Sequence, residues 1–260
     1  MFQLAAHPQS IGKVLDGTFK LFAASIKSSF ILALLAALAA LLPAMIMQHR
    51  MGGDPTAFVQ GGMGIFMLFY LIGVLISLVL YSALIYKVNS IALNQQVGYG
   101  QAVSVGLRKL LPLILAGILY ILAVMVGSIL LLVPGIILSV SLIFYVFLIV
   151  CDNQGPISAL TASHKLVWGN WWRTITVFLA PFFVYLVIYI AAGMVIGVAA
   201  GIQASSGEMA LSSINLYMNL LTLVISVVAY PFFASLMIVQ VNDLKIRKSG
   251  DDLDARIAAA

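Results

Sequence analysis

The sequence predicts an all-α polytopic membrane protein: six transmembrane helices arranged as three hairpins, each preceded by an interfacial amphipathic helix. Three observations carry that prediction. First, of 260 residues 63% are apolar and only 8% charged, whereas soluble globular domains run at about 45–50% apolar and about 25% charged. Second, the charge-free stretches are long enough to cross a bilayer. Third, nearly every cation falls where alternate crossings put it on one side. A single soluble core cannot hide so much apolar side chain, and disorder needs the opposite composition. One cysteine, Cys151, excludes an internal disulfide scaffold.

A helix needs roughly 20 apolar residues to cross about 30 Å of hydrocarbon. Lys, Arg, Asp and Glu are absent from 30–47, 61–86, 110–151, 174–207 and 209–242. The third window is too long for one span, and Val133-Pro134-Gly135 near its middle is the natural hairpin, because proline cannot donate to a helix and glycine takes turn dihedrals. Six spans result, at about 30–47, 63–86, 110–132, 134–151, 174–200 and 214–242. In the first, Phe30, Ile31, Leu32, Leu34, Leu35, Leu38, Leu41, Leu42 and Ile46 together favour insertion by roughly 4 kcal/mol. This window reads as a retained span rather than a signal peptide, since it begins well into the chain and no small-residue cleavage site ends a short core. None of the windows alternates polar with apolar, which excludes a transmembrane barrel.

Segments 1–29, 87–109, 152–173 and 243–260 share one side under this reading. They hold Lys13, Lys20, Lys27, Lys87, Arg108, Lys109, Lys165, Arg173, Lys245, Arg247, Lys248 and Arg256, against Arg50 alone on the other. The positive-inside rule then places both termini in the cytoplasm. The net charge of +5 belongs to a belt facing anionic headgroups. Nucleic acid is excluded as a partner, because no loop is large enough for a recognition domain.

Three of the four cationic segments look alike. Val14, Thr18 and Lys20, then Ala102, Gly106 and Arg108, then Ala159, Ser163 and Lys165 stand at the same relative spacing, each ahead of an odd-numbered span. The spacing predicts three repeats of interfacial helix plus hairpin, at about 10–93, 98–151 and 155–242, within one membrane domain that ends in a short tail, 243–260. Segment 10–27 sets Ile11, Leu15, Phe22 and Ile26 on one helical face, with Asp16 placed to pair with Lys13 and Lys20. Segment 157–173 sets Trp168, Trp171 and Trp172 beside Lys165, the pattern of a helix in the headgroup plane. Lys20, Arg108, Lys109, Lys165, Trp168, Trp171 and Trp172 are therefore the candidate headgroup contacts.

The run Leu132-Val133-Pro134-Gly135-Ile136-Ile137-Leu138, then Cys151-Asp152-Asn153, then Ala159, Ser163, Lys165, Leu166, Trp168 and Asn170 resembles the YciC-like uncharacterised inner-membrane family of bacteria. More distantly it is similar to the membrane domain attached to some glycerophosphoryl diester phosphodiesterases. The resemblance is best over 107–175 and weaker but collinear elsewhere. The first outer loop, about 48–62, is shorter than in the family. The resemblance implies a bacterial inner-membrane location and a connection with the envelope. It marks Pro134, Gly135, Asp152, Ala159, Ser163 and Asn170 as hairpin and motif residues, and it lends no biochemical activity.

Catalytic constellations are not found. His49-Arg50-Met51 echoes a His-Arg-Gly of the phosphodiesterase barrel, but Met replaces Gly and no carboxylate-rich barrel follows. His7, His49 and His164 fall in different loops, without the converging ligands a metal needs. Gly98-Tyr99-Gly100 and Gly61-Gly62-Met63-Gly64 read as turn glycines rather than phosphate loops. All eight acidic residues, Asp16, Asp54, Asp152, Glu208, Asp243, Asp251, Asp252 and Asp254, lie in loops or at span ends, which argues against proton coupling through a buried carboxylate. Asp152 and Asp243 read as span-end markers.

Packing signals are easier to read. Gly193, Gly197 and Gly201 line one side of the fifth span, for internal packing or a dimer seam, and Ala33, Ala36, Ala37 and Ala40 offer a similar face on the first. Asn215 and Asn219 sit one turn apart for interhelical hydrogen bonding. Pro181-Phe182-Phe183 and Pro231-Phe232-Phe233 match in depth in the last two spans. Each proline frees a carbonyl, of Val177 and Val227, and is expected to bend its helix, which could open a cavity between the two. The expected function is that of a non-enzymatic inner-membrane protein without a cofactor, a scaffold or assembly factor in envelope or lipid homeostasis. The expected partners are anionic lipids, with a homodimer or an envelope protein as further associations. A small permease or lipid transporter is the alternative.

Overall fold

The computed structural model describes residues 2–51, 63–205 and 211–250. Those residues are helical, with no strand among them. The order is α1 (Ile11–Met51), α2 (Met63–Ala92), α3 (Tyr99–Leu130), α4 (Leu132–Ser141), α5 (Tyr145–Val150), α6 (Pro156–Val167), α7 (Trp171–Ser205) and α8 (Leu211–Ser249). Six stretches are long and apolar enough to cross a membrane: Ile11–Ile46, Gly64–Ala92, Tyr99–Leu130, Leu132–Val150, Trp171–Ala199 and Asn215–Ser249. The chain is a multi-pass membrane protein. The loop 52–62, with Asp54, Gly61 and Gly62, the side chains of His49, Arg50, Met51 and Met63, Glu208, and the tail beyond Gly250 with its three aspartates and Arg256 lie outside the described residues.

Helix α1 packs against both α2 and α8. On the α2 side Gly73 is pressed so closely to Pro43 and the Ala39 carbonyl that a Cβ would collide with both. Ala33, Ala36 and Ala37 are buried, as a small-residue face requires. On the α8 side Phe19 and Phe22 meet Phe232 at ring separations of 5.2 and 5.7 Å. Helix α3 crosses α2 at Gly106, where an added Cβ would run into the Val79 carbonyl. Helix α4 folds back on α3, and α7 lies against α8.

The structure corrects several boundaries. The turn between the third and fourth spans is the single extended residue Leu131 (φ −162°, ψ 146°), not Val133-Pro134-Gly135. Pro134 is the third residue of α4, where its missing N–H costs nothing. Gly135 serves instead for contact: a Cβ there would stand 2.9 Å from the Ser128 Cα, and Gly127 faces it across the pair. The fourth span is also broken, at Leu142–Phe144, into α4 and α5. Segments 10–27 and 98–109 are not separate helices; they run without interruption into α1 and α3, and only α6 stands alone. At 1.5 Å per residue α1 alone is about 62 Å long. The first residues of the expected tail, Asp243–Ser249, belong to α8. Helices α7 and α8 continue through Pro181 and Pro231.

The core occupies the half of the bundle nearest the cationic segments. Val14, Leu21, Ala83, Leu84, Ile85, Val88, Ala102, Ile149, Leu236, Ile238 and Leu244 are buried there. The remote halves of α2, α3, α7 and α8 turn outward, with Met67, Ile121, Val195 and Val224 all exposed. So much contiguous apolar surface is compatible with lipid, not with water.

Candidate functional site

The four cationic segments meet at one end of the bundle through a polar network centred on Asp243, which is 1% exposed. One carboxylate oxygen accepts the Gln9 backbone N–H at 2.7 Å. The other faces Arg173 and Arg247, each at 3.0 Å. Both guanidinium groups also donate to the Gln9 carbonyl. Burying a carboxylate is costly unless it is paired and hydrogen-bonded, and these partners meet that cost. Around it Asn242 donates to the Ala5 carbonyl, Asn94 to the Phe2 carbonyl, and Lys245 pairs with Asp152 at 2.6 Å. Lys109 donates to the Asn153 side chain, and Lys87, itself buried, donates to the Val97 carbonyl at 2.8 Å and lies over the Tyr99 ring. Asp243 is thus a structural hub rather than a span-end marker. Arg247 stands four residues after Asp243, a helical pairing distance that the sequence does carry, whereas Arg173 and Gln9 lie 70 and 234 positions away and leave no local spacing.

The break in the fourth span has its own pin. Ser163, fully buried on α6, donates its hydroxyl to the Ser141 carbonyl at 2.8 Å and accepts the Phe144 N–H at 3.1 Å. One side chain therefore pairs two of the backbone groups that the break releases. Ala159 and Val167 share its buried face, while Lys165 points away. Helix α6 ends at Gly169, whose φ of +87° suits glycine, and the Asn170 carbonyl then accepts the Thr174 hydroxyl in the first turn of α7. The inward positions of the other two repeats behave alike: Val14, Thr18, Ala102 and Gly106 are all buried, with Lys20 and Arg108 exposed.

An apolar furrow runs between α4 and α7. Near α6 it is a hollow of about 600 Å³ lined by Val133, Ile136, Ile137, Trp168, Gly169, Trp171 and Trp172. Further along, a hollow of about 380 Å³ is lined by Val140, Ile143, Ile175, Phe178, Leu179 and Phe182, with Tyr81, Phe233 and Met237 behind. The second reaches Phe182 and Phe233, next to the paired prolines, but most of its lining comes from α4, the turn after it and α7 rather than from α8. Trp171 Nε1 donates to the Ile137 carbonyl at 3.3 Å, and Phe144 meets Phe178 at 5.7 Å. Helix α4 and the opening of α7 thus advance side by side in the same sense, whereas successive straight crossings would oppose each other.

Of the candidate headgroup contacts, Trp168, Trp171 and Trp172 come together at the furrow's mouth, and Lys165 is exposed three residues before Trp168. Lys20, Arg108 and Lys109 do not join them: Lys20 pairs with Asp16 at 2.7 Å on α1, Lys109 holds Asn153, and Arg108 is exposed on α3. The expected internal packing of the α7 glycines is corrected as well. Among the described residues, a Cβ at Gly193 would meet the Met218 methyl at 3.8 Å, and one at Gly197 or Gly201 would meet nothing within 4 Å. No group of His, Cys, Asp and Glu able to hold a metal occurs among the described residues.

No curated protein and no solved structure matches the chain. Residues 55–241, well over half of its length, match the family described as a domain of unknown function, DUF7847, and the chain belongs to that family.

Proposed function

We propose that the protein is a non-enzymatic scaffold or assembly factor of the bacterial inner membrane, acting in envelope or lipid homeostasis through contact with anionic lipid. On this reading both termini are cytoplasmic, the spans form three repeated hairpins, and segments 10–27, 98–109 and α6 are the amphipathic parts that meet the interface. The YciC-like resemblance supports the envelope connection. The observation that carries the reading is the single cationic end, tied through Asp243 and Gln9 into one polar network while the opposite half of the bundle exposes apolar side chains. Such an object has one charged face for headgroups.

The test is lipid crosslinking in reconstituted bilayers. Replacing Lys20, Arg108, Lys109 and Lys165 by Gln together should weaken crosslinking to anionic lipid, since each cation near the surface contributes about 1 kcal/mol. Unchanged crosslinking overturns the proposal. A small permease or lipid transporter is the second reading, favoured by the hollow beside Phe182 and Phe233. Protein-dependent movement of a labelled lipid between leaflets would decide for it.

A further inference from the structure

The two hollows follow one another along the same faces of α4 and α7. On α4 and the turn after it the lining residues are Val133, Ile136, Ile137, Val140 and Ile143; on α7 and just before it they begin with Trp168, Trp171, Trp172 and Ile175. Within each set the residues recur at spacings of three, four and seven, so each is one helical face; the first hollow gives way to the second between Ile137 and Val140 on one side and Trp171 and Ile175 on the other, where the Trp171 indole bonds the Ile137 carbonyl. The ends differ in chemistry. Towards Phe182 and Phe233 the lining is aliphatic and aromatic. At the mouth Lys248 donates to the Trp168 carbonyl at 2.7 Å and stands 3.8 Å from where a Gly169 side chain would begin. Lys165 lies one helical turn before Trp168, exposed, and makes no ion pair with any described residue. Indole rings beside lysines, above an apolar slot, match an amphiphile with an anionic head.

We infer that this groove holds one acyl chain of an anionic membrane phospholipid, with the phosphate at Lys165 and Lys248 and the chain running from Trp168 and Trp172 towards Phe182. The inference rests on the lipid-contact reading above and narrows it to one site, without Lys20, Arg108 or Lys109. The occupant is a lipid of the surrounding bilayer because the groove opens between two apolar helices whose outer faces, Val133, Phe182 and Phe183 among them, are exposed.

The chain's three tryptophans, Trp168, Trp171 and Trp172, all line the mouth, so intrinsic tryptophan fluorescence originates there. The full-length protein is placed in phosphatidylcholine vesicles, and phosphatidylglycerol or phosphatidylcholine brominated in mid-chain is added at equal mole fraction. Brominated phosphatidylglycerol should quench with a roughly 25-fold preference, the size that two lysines near an anionic surface supply. The preference should fall in Lys165→Gln and vanish in Lys165→Gln/Lys248→Gln. Ile175→Phe, which narrows the groove without touching charge, should lower quenching by both lipids. Equal quenching by the two lipids in the wild type, or a preference that survives in the double variant, overturns the site. If crosslinking still depends on Lys20, Arg108 and Lys109 in that case, the broader lipid-contact reading stands and only the groove is lost.

Discussion

Ser163 shows how much a single hydroxyl can hold in an apolar setting. A buried backbone N–H or C=O left without a partner costs about 1–3 kcal/mol, and Ser163 serves one of each at the break between α4 and α5. Ser163→Ala should lower stability by about 3 kcal/mol, read as a drop in the thermal unfolding midpoint in detergent. Ser163→Thr keeps the hydroxyl and should recover most of the loss. A Ser163→Ala protein with wild-type stability would show that the break does not depend on this side chain. Asp243 works by the same logic with charge: two guanidinium groups and a backbone N–H converge on one buried carboxylate, so that the N-terminal segment, α7 and α8 share a single anchor. The sequence marks Ser163 through its place in a repeated pattern, Ala159, Ser163 and Lys165. It cannot mark Ser141 and Phe144, which are bound only through their backbone.

Among the helices, closeness of approach separates glycines that matter to the bundle from those that do not. Gly106 sits against the Val79 backbone, whereas Gly197 faces open space. Gly106→Leu should force α3 off α2 and cost about 1–3 kcal/mol, the range for overpacking, while Gly197→Leu should leave the unfolding midpoint of the monomer unchanged. A loss at Gly197 that depends on protein concentration would instead reveal a seam between two copies. The four-residue spacing of Gly193, Gly197 and Gly201 gives the stripe in the sequence without saying what, if anything, lies opposite. Helix existence was legible throughout, since charge-free length and the lack of alternation leave no other element. The break at Leu142–Phe144 was not: Leu-Ile-Phe carries no turn residue, and the break is held from outside by α6. Nor was the turn at Leu131 legible, because Pro134 and Gly135 draw the eye to a place where one fits a first helical turn and the other lets two helices touch. The furrow mouth was half legible, in Lys165 and the three tryptophans; Lys248 joins it only through the end of α8.

For the molecule as a whole, one partition underlies both the packing and the proposed function. The well-buried core and the polar network lie at the end where segments 1–29, 87–109, 152–173 and 243–250 meet, and the remote halves of α2, α3, α7 and α8 present apolar side chains outward. A bilayer satisfies that distribution only with the cationic end at a headgroup surface, and in the proposed orientation that surface is the cytoplasmic one. The consequence is measurable in intact cells. In a Cys151→Ser background, single cysteines replacing Lys20, Arg108 and Lys165, all exposed, should resist a membrane-impermeant maleimide added outside and react once the inner membrane is opened. Cysteine replacing Arg50, the lone cation assigned to the other side, should react from outside. Because Lys20, Arg108 and Lys165 precede different spans, agreement among them tests the parity of every intervening crossing. External labelling of one of the three, with the other two protected, would place an odd number of crossings between them and so break the common cationic end on which lipid contact depends.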